Sequence, residues 1–233
     1  VVLAEQGRQN NVCLVLSTGE MVDISNVGQE EVKLDKGTKL YEGNRLEYVR
    51  PDSLHKKELE FNQLIIPKGT FYHLVLSDGT KVWLNSRTKF TYPTRFSSKE
   101  RSVTLLGEGF FEVAHNEKSP FTVHVDLLKV KVLGTKFNVK AYENESSFVT
   151  LADGKVEVVT NDNEHKVTMK PDQQVAYSKK NGLVINDKVD TNVIKSWTLG
   201  EAAYINQRLD EIVNELYRNN RSRIISRNFY LSF

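Results

Sequence analysis

One cysteine, two tryptophans, two methionines and five prolines are spread over 233 residues, and each scarcity closes off a class of protein. With Cys13 alone, an internal disulfide framework and a cysteine-built metal site are both excluded. The redox compartment stays open. No stretch approaches the roughly 18 consecutive apolar residues that a spanning helix requires. The opening VVLAEQGRQNN has neither the basic nor the apolar region of a secretory signal. A net charge of +2 removes any bulk electrostatic case for nucleic acid or an acidic membrane surface. G-x-S-x-G, H-E-x-x-H and P-loop spacings are also missing.

What the chain has instead is alternation. From Val12 to Ile185 apolar residues recur with period two, the signature of half-buried strands. One short pattern returns three times, as LVLSTGEMVDIS from Leu14, LVLSDGTKVWLNS from Leu74 and LADGKVEVV from Leu151. In the second copy Tyr72, Leu74 and Leu76 share one strand face, and Val82 and Leu84 continue it after the turn. Asp78-Gly79, Asp153-Gly154 and, less strongly, Thr18-Gly19 supply the positive φ of a tight turn. Three hairpins of one design are expected. Their uneven separation marks recurrent turn chemistry rather than the coils of a regular solenoid.

Further alternating runs between Ser102 and Ile185 bring the expectation to about a dozen short strands without an intervening helix, a sandwich or roll. Gly107, Gly109 and Gly134 fall in or between these runs, where bulges and bends are expected. After Thr198 the period changes. Leu209, Ile212, Val213, Leu216 and Tyr217 have helical spacing, with Asn206 as cap and Arg218 in the last turn. AAYI before this helix and RIISRNFYLSF after it read as strands. The expected organisation is a mainly β domain over 1–189 and a small, incomplete α+β strand-helix-strand module over 190–233. Val49–Glu60 and Asp187–Trp197 read as surface connections.

Reactive constellations are sparse. His124 and Asp126 share a strand face but have no third ligand nearby, and His55, His73, His115 and His165 are scattered. Glu108 and Glu112 also share a face; at the usual rise they lie about 13 Å apart, too far for the roughly 5–9.5 Å of a glycosidase pair. A hydrolase built on them is the weakest reading. Trp83, opposite Val82 and Leu84, either packs against the sheet or stands exposed as a sugar platform, and the latter would make the chain a carbohydrate-binding or adhesive sandwich. Trp197 is placed to pin the terminal module. No catalytic, cofactor-binding or metal residue is assigned. Arg218, Arg221, Arg223 and Arg227 lack the wider basic field and interleaved aromatics that favour nucleic acid. If Arg223–Leu231 is an edge strand, then Arg223, Ile224, Ile225, Arg227, Phe229 and Tyr230 would form a protein-docking surface.

Several motifs together resemble the extracytoplasmic part of a FecR-type anti-sigma factor. They are IPKGTFYHLVLSDGTKVWLN (Ile66 to Asn85), FTYPTRF (Phe90 to Phe96), RSVTLLGEGFFEVAHNEKSPFTVHV (Arg101 to Val125), KVLGTKFNVKAY (Lys131 to Tyr142) and VTLADGKVEV (Val149 to Val158). The stretch from Trp197, with WTLG and its helix, is similar to the start of the small domain that follows in that family. The resemblance implies a non-enzymatic, single-pass regulator without a cofactor. A cytoplasmic segment would hold a sigma factor, and a periplasmic part would sense the signalling domain of an outer-membrane TonB-dependent transporter. Neither that cytoplasmic segment nor an N-terminal anchor is in this sequence, so only the sensing half is expected here.

Overall fold

A computed structural model describes residues 11–25, 32–35, 38–41, 45–48, 59–204 and 209–219. Among the described residues, eighteen strands form two facing sheets that share one long strand. Sheet A runs, in spatial order, β2 (Met21–Asp23), β1 (Cys13–Val15), β6 (Phe61–Ile65), β9 (Lys89–Pro93), the first half of β10 (Arg101–Glu112), β11 (Phe121–Val125), β12 (Leu128–Val132), β15 (Val156–Thr160) and β16 (Lys166–Met169). Sheet B runs β3 (Val32–Asp35), β4 (Thr38–Tyr41), β5 (Arg45–Tyr48), β7 (Tyr72–Val75), β8 (Lys81–Leu84), the second half of β10, β13 (Lys136–Ala141), β14 (Ser147–Asp153), β17 (Gln173–Ser178) and β18 (Gly182–Asp187).

Alternation puts one face of each strand into the space between the sheets. Leu64, Phe90, Val103, Phe121 and Val130 from sheet A meet Leu74, Val82, Phe111, Phe137 and Val139 from sheet B in one buried cluster. Phe111 joins the layers, stacked on Phe137 with centroids 5.1 Å apart and inclined to Phe90 and Phe121 at 6.1 and 6.3 Å. Such ring pairs add to the area they bury.

The chain steps repeatedly from sheet to sheet, and this gives two parallel pairings whose crossovers run through the opposite sheet. A parallel pair within one sheet ordinarily needs a long crossover. Here β10 leaves sheet A at its midpoint, finishes in sheet B, and the chain returns to sheet A as β11 alongside β10's own first half. Likewise β5 and β7 are parallel neighbours in sheet B because β6, between them in sequence, belongs to sheet A.

The midpoint of β10 shows why glycine is required there. Register with β9 ends at Leu106↔Lys89 and register with β8 begins at Gly109↔Leu84, so the Asn85–Thr88 corner and the 107–108 bend turn together. Gly107 has φ 122°, and a Cβ on it would lie 2.4 Å from Thr88 Oγ1 and 2.7 Å from Thr88 Cα. The two chains are stitched: Asn85 N donates to Glu108 O (2.9 Å), and Glu108 N donates to Thr88 Oγ1 (3.0 Å).

The repeated turns divide. In the first two copies Gly19 N donates to Leu16 O and Gly79 N to Leu76 O, each at 2.9 Å, closing hairpins β1–β2 and β7–β8. The third differs from the expected hairpin. Gly154 has φ 96° after Asp153, but β14 pairs with β13 and β17 while β15 pairs with β12 and β16, so this turn is an arch between sheets. Aspartate-glycine fixes a sharp local reversal; it does not choose whether the strands it joins pair with each other.

The C-terminal part also departs from expectation. Asp187–Trp197 is not merely a connection: Asp190 accepts from Asn192 N (3.0 Å) and caps a short helix, α1 (Thr191–Lys195), followed by a 3₁₀ turn Ser196–Leu199 closed by left-handed Gly200. Residues 202–204, expected to begin a strand, have no strand partner among the described residues. The amphipathic helix is present as α2 (Leu209–Asn219). Asn206 and the stretch Arg223–Leu231, including Arg223, Ile224, Ile225, Arg227, Phe229 and Tyr230, lie outside the described residues.

Candidate functional site

Two polar centres interrupt the apolar roll, and both are built by the strands around β10. The first is a clamp. Arg101, 2% exposed, opens β10 and points its guanidinium at the turn of the second hairpin. Its Nη1 donates to Asp78 Oδ2 and to Ala114 O, both 2.8 Å, and its Nε donates to Ser119 O at 2.8 Å. Asp78 also accepts from Thr80 N (3.0 Å) and Thr80 Oγ1 (2.8 Å), and Thr80 Oγ1 in turn accepts from Ala114 N (3.1 Å). The aspartate that shapes the turn therefore doubles as the counter-ion that ties it to the β10–β11 connection. A buried pair of this kind costs desolvation, which these additional bonds offset.

The second centre lies on the outer face of sheet B. Glu108, 5% exposed, accepts from Asn85 Nδ2 (2.8 Å) and Asn138 Nδ2 (3.0 Å). Burial pushes its carboxyl above the ordinary range, only partly opposed by the Lys140 ammonium. Lys140 Nζ donates to Glu215 Oε2 of α2 at 2.8 Å. Burial alone would lower the Lys140 pKa; Glu108 and Glu215 outweigh it and hold it above its usual value. Beside them Arg218 of α2 is paired with Glu145 and lies with its Cζ 4.3 Å from the Tyr142 ring centroid. Burial, with Glu108 nearby, also raises the Tyr142 phenol, whose hydroxyl donates to Ser86 O (2.9 Å).

Charges on this face were not grouped by sequence reasoning. Glu108 and Glu112 share the outer face of β10, but they serve different neighbours. Glu112 lies 3.8 Å from Lys136 Nζ and 3.7 Å from Lys195 Nζ, at a half-exposed rim. Trp83 is half-buried, stacked on His73 at 4.6 Å and edge-on to Phe110 at 5.8 Å, so two of its sides are occupied. Trp197 is buried at the 3₁₀ turn, and the neighbouring α1 packs on β14. His124 is partly buried on β11, its pKa lowered by that burial, and Asp126 is exposed. Among the described residues no three histidine, cysteine or acidic side chains converge to hold a metal, and no helix is long and apolar enough to cross a membrane.

The sequence profile described as FecR protein matches residues 62–157, from β6 to β15. Two crystal structures of a "putative anti-sigma factor" from Parabacteroides distasonis, at 1.65 and 2.50 Å resolution, superpose with TM-score 0.64 and 32% identity. In each case the match covers 68% of this chain and 74% of the other. The chain belongs to the FecR family. None of the curated proteins matches it.

Both polar centres gain meaning from that assignment. The FecR region contains the whole Arg101–Asp78 clamp and the sheet half of the second centre, namely Asn85, Glu108, Asn138 and Lys140. The other half, Glu215 and Arg218, comes from beyond it. Glu108, its pKa raised by burial, thus lies where the FecR region meets a segment from beyond it.

Glu108 makes a pH prediction. Because its pKa in the folded protein exceeds the unfolded value near 4.5, the folded state binds the extra proton. The contribution of Glu108 is therefore most favourable below that value and is lost as pH rises through the folded pKa. Glu108→Gln should remove this decline. Urea titrations in steps from pH 4.5 to neutrality should show a flatter stability profile for the variant than for the wild type.

Proposed function

We propose that this chain is the sensing part of an anti-sigma factor, which keeps a sigma factor under control from the far side of the inner membrane. The observation that carries the reading is the combination of the FecR region at 62–157 with the fold of the Parabacteroides distasonis protein over two thirds of this chain. On this reading residues 1–189 form a rigid periplasmic mount and residues 190–233 a small module that meets the signalling domain of an outer-membrane TonB-dependent transporter. The relay needs only that the transporter bind two states of the regulator with different affinity.

If Arg223–Leu231 forms an edge strand, docking on the module falls to Arg223, Ile224, Ile225, Arg227, Phe229 and Tyr230, whose backbone groups would take an added strand. Capture of a transporter signalling domain on the immobilised chain tests this. Reversing Arg223 and Arg227 to glutamate should weaken capture about tenfold or more, the usual scale for losing partly buried charge contacts. Ile225→Pro, which removes a backbone donor, should abolish it. Capture unchanged in both variants would overturn the assignment.

A further inference from the structure

The outer face of sheet B holds α2 by contacts unlike those inside the roll. Between the sheets the packing is apolar and continuous. Under α2 it is largely polar. Ile212 is the helix's buried apolar side chain, at 5% exposure, whereas Leu209, Val213 and Tyr217 are 56%, 53% and 62% exposed. The amphipathic helix thus leaves Leu209 and Val213 exposed, lays the Tyr217 ring against Lys68 (Nζ 3.6 Å from the centroid) and Arg87 of the roll, and turns much of its charged edge inward.

Besides the Tyr217 ring, the contacts between helix and roll fall at three places. Glu215 pairs with Lys140 on β13 at 2.8 Å, Arg218 pairs with Glu145 and covers Tyr142, and the Arg218 carbonyl accepts from Gly69 N at 3.1 Å. Beneath them Glu108 is sealed from water with two carboxamides as its hydrogen-bond donors. The seam is also incompletely satisfied. Asn138 Oδ1, Trp197 Nε1, Tyr204 OH and Asn219 Oδ1 are buried and find no hydrogen-bond partner among the described residues. Native interiors rarely leave such atoms unpaired, and here four of them gather in the C-terminal segment and the strand face beneath it. Water would solvate Asn138, Asn219 and Glu108 if the helix moved away. The roll would lose little, because its own core does not include α2.

From this geometry we infer that α2 is a releasable latch, held over Glu108 by the Lys140–Glu215 and Arg218–Glu145 pairs, and able to detach while the two-sheet roll stays folded. The latch rests on these contacts alone and not on the identity of any partner, so its failure and that of the transporter reading are separable.

Hydrogen exchange on the 1–233 chain tests it, read at the α2 amides and, as internal reference, at the central strands β11 and β12. In the wild type the α2 amides should exchange through an opening that leaves the reference strands protected. Glu215→Lys should speed α2 exchange about tenfold or more without changing the reference, and Glu215→Gln, which loses the attraction but adds no repulsion with Lys140, should speed it less. Three results would each overturn the latch. In one, α2 exchanges only together with β11 and β12 in the wild type. In another, Glu215→Lys deprotects the reference strands to the same degree. In the third, Glu215→Lys leaves α2 exchange unchanged.

Discussion

Replacing Arg101 by methionine should lower the unfolding free energy by about 3–5 kcal/mol, the range seen when one partner of a buried ion pair is removed. Methionine keeps much of the side chain's length, so the loss comes from chemistry rather than volume. Asp78 would be left with a carboxylate whose side chain is only 14% exposed and whose cation is gone, and the carbonyls of Ala114 and Ser119 would lose their donor. Asp78→Asn should cost less, since an amide oxygen still accepts from Thr80 and Arg101 keeps the carbonyls of Ser119, Ala114 and Leu133. Urea denaturation followed by tryptophan fluorescence measures both. Equal losses for the two variants would show that the turn, and not the guanidinium clamp, is what the pair supports.

Gly107→Ala should be comparably damaging although it adds only one methyl group. A non-glycine residue at φ 122° carries about 1–3 kcal/mol of backbone strain, and the added Cβ overlaps a main-chain atom, Thr88 Cα, which cannot rotate away. Together these suggest a loss of about 4 kcal/mol. Gly79→Ala is the control. It has a similar positive φ, 85°, but nothing within 4 Å of the added Cβ, so it should show the strain alone, about 1–2 kcal/mol. The difference between the two variants measures the closeness of the corner. If they destabilise equally, the 107–108 bend and the Asn85–Thr88 corner do not pack as closely as described.

Much of the local structure was legible in the residues. Period-two alternation placed the strands of 101–185, Asp78-Gly79 gave the second hairpin, and the spacing from Leu209 to Tyr217 gave α2. Errors cluster where a local signal has two tertiary outcomes. Asp153-Gly154 makes the same reversal as Asp78-Gly79 but joins strands of opposite sheets. Thr191–Lys195 is short and rich in β-branched residues, so its propensity hides a helix that the Asp190 cap and contact with β14 stabilise.

The candidate site was less legible still. Glu108 and Lys140 are separated along the chain and become neighbours only because β10 and β13 pair with Glu108↔Lys140 in register. Glu215 joins them from a helix whose pattern gives no hint that its charged edge would be buried. Nothing in the sequence marks Arg101 out from other arginines at the head of a strand.

By itself the sequence determined the strand-forming runs, the turn positions that need glycine and the amphipathic helix, because backbone conformation and side-chain alternation are set by neighbours a few residues away. Tertiary structure alone decided which sheet each strand entered, where β10 changed sheets, and which charges were sealed beneath α2. Those choices depend on free energies of contact between residues far apart in the chain, and a period of two says which face is apolar without saying what it will meet.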